Sequence, residues 1–218
     1  MTFRRMTWVS TATAAGLAIV AALALHRLPP GTRLPTHWNA AGEADRFAEA
    51  STALFMPVFL VVGLSSVFAM LPRLEPLQDR LDRSRALLVT AWAGLLGLMA
   101  IIELMVAAPA FGLRPPATLM LAAVGLLLVF IGNMLPKSRP GFFVGIRTPW
   151  ALLDEDNWIA THRLGAWTFI AGGLTLVAAG LLPLAGDTRQ ALVIGALLLA
   201  TAPPVFYSYL LWSRRARP

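Results

Sequence analysis

The sequence predicts an all-α fold: a polytopic membrane bundle of six transmembrane helices with both termini cytoplasmic, forming a single membrane domain over residues 1–218. Three observations predict it. Apolar residues make up 57% of the 218-residue chain and charged residues only 13%, against roughly 45–50% and about 25% in soluble domains. Six separate stretches approach the roughly 20 mostly apolar residues that a span requires. The net charge is +7, and its basic groups fall largely on alternate loops. Such a composition excludes disorder, which needs few apolar residues, and an ordinary soluble globule, which could not hide this much apolar surface. With no cysteine, disulfides, thiol nucleophiles and thiolate metal sites are excluded as well.

The first stretch, Met6–Leu25, follows Arg4-Arg5 and contains Ala22-Leu23-Ala24, which looks like a secretory cleavage site. Its apolar run is longer than the roughly 7–15 residues of such signals, so it is read as a retained anchor. The second and third are Leu54–Leu71 and Ala86–Val106, and the fourth is Thr118–Met134. The fifth, Leu164–Leu184, carries Gly172-Gly173, Ala178, Ala179 and Gly180. With Ala93, Gly94 and Gly97 of the third, these small residues predict close helix approach. The sixth, Ala191–Trp212, contains Pro203-Pro204, expected to kink it because two backbone donors are lost. Tyr207, Tyr209 and Trp212 then read as an interfacial aromatic belt ahead of Arg214, Arg215 and Arg217.

Thirteen of the 18 lysines and arginines lie in the tails and in the second and fourth loops. Basic loops stay in the cytoplasm, which gives N-in/C-in topology and leaves no need for a nucleic acid partner. The two long loops then face opposite sides. Each follows the first helix of a three-helix half, an arrangement also found in inverted-repeat transporters, although no residue-level repeat is evident.

Residues 26–53 form the extracytoplasmic loop. Its prolines, Asn39 and Gly42 mark turns, and Trp38 and Phe47 are suited to the headgroup level. His37, Glu43 and Asp45 lack the spacing of a recognisable metal site. Residues 132–165 form the cytoplasmic loop. Within it Asp154 is expected to cap a short helix, on which Trp158 and His162 share a face. Arg147 is near this acidic cluster in sequence and able to pair with it.

Gly132-Asn133, a basic linker, Gly145-Ile146-Arg147-Thr148-Pro149-Trp150, Trp158, Thr161-His162 and Gly165 together resemble the signature of the SdpI family. The outer Leu34-Pro35-x-His37-x-Asn39-x-x-Gly42-x-x-Asp45 segment resembles the domain of unknown function that precedes that signature in many members. The linker departs from the family pattern, with Pro140 and Gly141 where asparagines are usual. The resemblance implies a bacterial membrane protein of immunity or sensing, which protects against a secreted, membrane-acting peptide toxin. It further implies a relay of the toxin's presence to a cytoplasmic repressor. Arg147, Trp150, Trp158, His162 and Asn133 are the binding or docking candidates, with Arg147 as the anchoring charge. His37, Asn39 and Asp45 are the outer-loop candidates.

Glu103 is the only acidic residue inside a predicted span; a charge near a helix centre costs roughly 2.5–3.5 kcal/mol on insertion scales. It reads either as functional (an ion pathway, a toxin contact, or a partner of Arg27) or as a structural polar contact. It also carries the alternative function, a small secondary transporter or channel using Glu103. A membrane enzyme is not expected, because no His-rich, Ser/Lys or paired-carboxylate constellation lies on one side. No cofactor or metal is called for.

Overall fold

A computed structural model describes residues 3–75, 78–141 and 143–215 of the chain. Phe142, in the loop after the fourth span, and Arg217 of the basic tail lie outside the described residues. Among the described residues seven α-helices occur, in the order α1 (Phe3–Arg27), α2 (Ala50–Leu74), α3 (Gln78–Ala107), α4 (Leu119–Met134), α5 (Pro149–Leu153), α6 (Glu155–Leu181) and α7 (Gly186–Arg215). All but α5 are long and apolar enough to cross a membrane, which makes this a multi-pass membrane protein.

The fifth span differs from expectation in where it begins. Asp154 does cap a helix, its Oδ1 accepting from the amides of Asp156 at 3.0 Å and Asn157 at 3.3 Å. That helix is not short. Nothing stops it before Leu182, so Trp158, Thr161, His162 and Gly165 of the signature and the fifth span form one continuous α6.

Among the described residues, β-structure occurs in the loop between α1 and α2. It folds into an antiparallel hairpin of β1 (Arg33–Trp38) and β2 (Ala44–Glu49), with Arg33 opposite Glu49 and Leu34 opposite Ala48. The turn is built by Asn39, whose side-chain oxygen accepts from the amides of Ala41 and Glu43, both at 3.0 Å. Gly42 completes it at φ +85°, in the left-handed region that glycine enters without a Cβ clash. Pro35 is tolerated because both strands of a two-stranded ribbon are edges. Leu34, only 3% exposed, anchors the ribbon to the apolar cluster of α1, α2 and α3.

Two three-helix groups result. Helices α1, α2 and α3 pack mutually, whereas α6 lies between α4 and α7; α3 and α4 join the groups. This difference in packing sets the halves apart despite their matching order of long loop and helices. Close approach is greatest between α4 and α6. A Cβ on Gly125 would lie 2.5 Å from the Gly173 carbonyl, and one on Gly173 would lie 2.6 Å from the Gly125 carbonyl. Of the small residues expected to do this in α3, Gly94 meets Leu127, but Gly97 faces open space.

The helix α7 runs through Pro203 and Pro204. Lacking an N–H, Pro204 leaves the Ala200 carbonyl without its helical donor. Thr168 of α6 supplies one, donating from its hydroxyl to that carbonyl at 3.2 Å. A backbone group freed in the membrane interior is thus satisfied from the neighbouring helix, as a medium without water requires.

Candidate functional site

Between α4 and α6 the chain closes one end of the bundle, called here the loop end. A 3-10 turn, Leu135–Lys137, leads into an irregular stretch that ends at α5. Val144 and Leu135 join an apolar cluster with Leu81, Leu87 and Leu88 of α3 and Ala166 of α6, with Ile146 packed against it. The stretch therefore plugs the seam between the two helix groups.

Hydrogen bonds tie this plug to both groups. Ser84 of α3 accepts from the Arg139 amide at 3.0 Å and donates back to its carbonyl at 3.3 Å. Glu75, 2% exposed at the end of α2, accepts from the Phe143 amide at 3.3 Å. From α6, the Trp158 indole donates to Ser138 Oγ at 3.2 Å. His162 Nε2 accepts from the Ile146 amide at 2.9 Å, and its Nδ1 lies 2.8 Å from the Trp158 carbonyl. Because a backbone amide can only donate, Nε2 is the bare nitrogen and Nδ1 carries the proton that Trp158 receives. The two rings stack with centroids 4.1 Å apart.

Gly145 makes this approach possible. Its φ is +117°, and a Cβ there would lie 2.6 Å from both His162 Nε2 and Trp158 Cζ2. Beyond it, Thr148 caps α5 by accepting from the Ala151 amide at 3.2 Å, followed by proline at the first helical position. The Thr148 hydroxyl is 2.6 Å from that of Ser208 in α7. Asn157 completes the network. Its Oδ1 accepts from Ser208 at 2.8 Å and Thr161 at 3.0 Å, while its Nδ2 donates to the Ser208 carbonyl at 2.9 Å.

The docking candidates separate accordingly. Trp158 and His162 are 0% exposed and so present no surface to a partner; they are the floor on which the loop folds. Trp150 is half-buried, 5.1 Å from Tyr209 and 5.9 Å from Trp212 between ring centroids. Arg147, at the rim of the plug, and Asn133, in the last turn of α4, are exposed. The acidic start of α6 is met by Arg215, which bonds Asp154 and lies 3.3 Å from Asp156, and by Arg139, 3.9 Å from Glu155. Glu75, Ser84, Ser138 and Ser208 were not singled out from the sequence. Only Thr148 carried a local sign, its position before Pro149 at a helix start.

At the opposite, hairpin end, His37 Nδ1 and Asp45 Oδ1 are 2.6 Å apart across the ribbon. Asn39 also reaches Glu43, at 3.3 Å. His37 and Asn39, with Thr36, Trp38 and Gly42, roof a cavity of about 230 Å³ whose floor includes Ile102 and Met120. Arg189 of α7 locks the hairpin tip to the other helix group. It donates to the Ala41 carbonyl at 3.0 Å, to Ala179 at 3.1 Å and to Leu184 at 2.8 Å. The hydrogen bond from His37 holds the Asp45 carboxyl below the usual carboxylate range. A depressed pKa favours the folded hairpin above the ordinary value, near 3.9, and that preference is lost as pH falls through the folded value. We expect the Asp45 carboxyl resonance in micelles to titrate below about 3.9 and to return to it in His37→Ala; identical titrations in the two proteins would contradict the pairing.

Glu103 lies in α3 with 0% exposure and neither oxygen hydrogen-bonded. It is not paired with Arg27, whose guanidinium sits 4.7 Å above the Phe111 ring.

Comparison with known proteins matches these two ends to two domains. Residues 137–208, holding the plug, α5, α6 and most of α7, match the SdpI/YfhL protein family. Residues 12–61, which include the hairpin, match a domain of unknown function, DUF1648. The chain is 23% identical over 161 residues to Immunity protein SdpI of Bacillus subtilis (strain 168), covering 73% of this chain and 74% of that protein. No solved structure matches it. The chain is thus a six-span membrane protein whose residues 137–208, buried loop hub included, are similar to the SdpI/YfhL protein family and whose residues 12–61 are similar to DUF1648.

Proposed function

We propose that this chain is a non-enzymatic membrane immunity protein: it protects the cell from a membrane-acting peptide toxin and relays the toxin's presence to a cytoplasmic regulator. The hairpin faces outward and the plug inward, in keeping with the concentration of lysine and arginine at the loop end. Similarity to an immunity protein over most of both chains supports the first part.

One observation carries the relay. The plug is hydrogen-bonded to α2 and α3 through Glu75 and Ser84 and packed on α6 and α7 through Trp158, His162 and Ser208. The hairpin in turn belongs to the first group and is tied to the second by Arg189. A shift of one helix group against the other alters contacts at both ends. The exposed Arg147 at the plug's rim is then the group a regulator reads, with Trp150 beside it.

Expression in a toxin-sensitive bacterial strain tests this reading by survival against membrane-acting peptides. Improved tolerance of one such peptide supports it, and unchanged survival against all of them, with no cytoplasmic protein recruited, defeats it. Arg147→Ala is expected to abolish the protective or signalling activity while leaving insertion and thermal stability intact. Wild-type activity in that variant would remove Arg147 from the proposed role.

A further inference from the structure

Two carboxylates are buried among the described residues, and they differ in company. Glu75 receives the Phe143 amide. Glu103 receives nothing at either oxygen.

The packing of α3 locates Glu103 closely. Met99, Glu103 and Val106 follow one face at helical spacing. Met99 belongs to a cluster with Leu17 of α1 and Val61 of α2, and Val106 to a cluster with Ala21 and Ala24 of α1 and Ala53 and Leu54 of α2. Glu103 is therefore enclosed at the level between them, which on α2 is the level of Leu54 to Val61. Buried Pro57 stands there, on the same α2 face. Having no N–H, Pro57 leaves the Ala53 carbonyl without its helical donor. The equivalent carbonyl freed by Pro204, that of Ala200, is satisfied by a hydroxyl from the adjoining helix.

We propose that Glu103 is an intramembrane proton-binding site, which in its acid form donates its O–H to the Ala53 carbonyl. As an acid it is neutral and meets the α2 carbonyl that Pro57 deprives of its helical donor; as a carboxylate it would be an unpaired charge in a medium without water. No counter-charge is supplied by the elements packed around it. The nearest charged groups on α1 are His26 and Arg27, on the α2 start Glu49, on β1 Arg33, and after α3 Arg114; all are exposed at the hairpin end. Helix α4 contains no ionisable residue. On release, the O–H bond breaks with its electron pair left on the carboxylate, and the proton passes to water admitted when α1, α2 and α3 part. Proton occupancy at Glu103 thereby reports, and opposes, the opening of this helix group.

Infrared spectroscopy of the full chain in phosphatidylcholine nanodiscs tests the site. The wild type should show a carboxylic-acid C=O band at neutral pH that is absent in Glu103→Gln and bleaches as pH rises. Pro57→Ala restores an amide donor to Ala53, so the band should move to higher frequency as its hydrogen bond is lost. Circular dichroism verifies folding of each variant, and Glu103→Asp, which keeps the acid, should retain a band if a neutral variant fails to fold. Spectra identical in wild type and Glu103→Gln at every pH would overturn the proposal. So would a band that persists at the highest pH where the protein stays folded. A band unmoved in a folded Pro57→Ala would exclude Ala53 as the acceptor.

Discussion

Gly145→Ala should destabilise the loop end by about 2–6 kcal/mol, because two penalties fall on one atom. The first is conformational: φ +117° lies where only glycine is comfortable, and a side chain there costs roughly 1–3 kcal/mol. The second is steric. The new methyl would sit 2.6 Å from His162 Nε2 and from Trp158 Cζ2, and overpacking a filled site costs roughly 1–3 kcal/mol. Neither ring can withdraw freely, since Trp158 is held by Ser138 and His162 by Ile146. Thermal unfolding in detergent measures the loss, and limited proteolysis between residues 138 and 148 localises it. Under the proposed function, protection should fall with it. A Gly145→Ala protein as stable as the wild type would show that the loop does not rest on α6 in this way.

Asn157→Ala should cost roughly 2–4 kcal/mol, the range expected for removing three hydrogen bonds from a buried network. The loss is not shared evenly among its partners. Thr161 can turn its hydroxyl to a carbonyl of its own helix. The Ser208 carbonyl loses the donor from Asn157 and is left with the helical ladder of α7, while the Ser208 hydroxyl is left with Thr148 alone. A double-mutant cycle with Ser208→Ala should therefore be non-additive, the pair costing less than the two single changes together. Additivity would show that the two residues are not coupled. Because Asn157 joins α6 to α7 and, through Ser208, to the cap of α5, this substitution should also loosen Trp150 from Tyr209 and Trp212. Tryptophan emission would report that change.

The two predictions involve residues of unequal legibility. Gly145 could be marked from the string Gly-Ile-Arg-Thr-Pro-Trp, which is too specific to arise from composition, although the positive φ could not. Asn157 carries no local sign of its role, because its main partner, Ser208, is 51 residues away. Glu75 illustrates the same limit: it ends a helix among charged residues and reads as solvated, yet it is buried under an amide 68 residues distant. Arg189 belongs to neither motif and is one of the five basic residues outside the tails and the second and fourth loops. It spends its guanidinium on three carbonyls, one of them 148 residues away in the hairpin tip.

Trp158 and His162 show the converse error. Their shared face was read correctly from a spacing of four, and the resemblance made them docking candidates. Spacing on a helix states which residues point together, not whether that direction is toward solvent. Here it is toward the returning chain, which buries both rings completely.

What the sequence by itself determined is the part of the architecture governed by local composition: six spans, the cap at Asp154, and the two motif-bearing loops with their order. Each depends on hydrophobic length or on bonds within a few residues, so a short window contains the cause. Only the tertiary structure decided that the loop after α1 pairs as a hairpin, that the loop after α4 is a plug rather than an exposed surface, and that the two helix groups are tied at both ends. Those outcomes follow from polar groups that must find partners where water is scarce, and the partners come from wherever the chain returns. Glu103 belongs to both accounts: its oddity is visible in the sequence, and its enclosure beside the carbonyl freed by Pro57 appears only once three helices are packed.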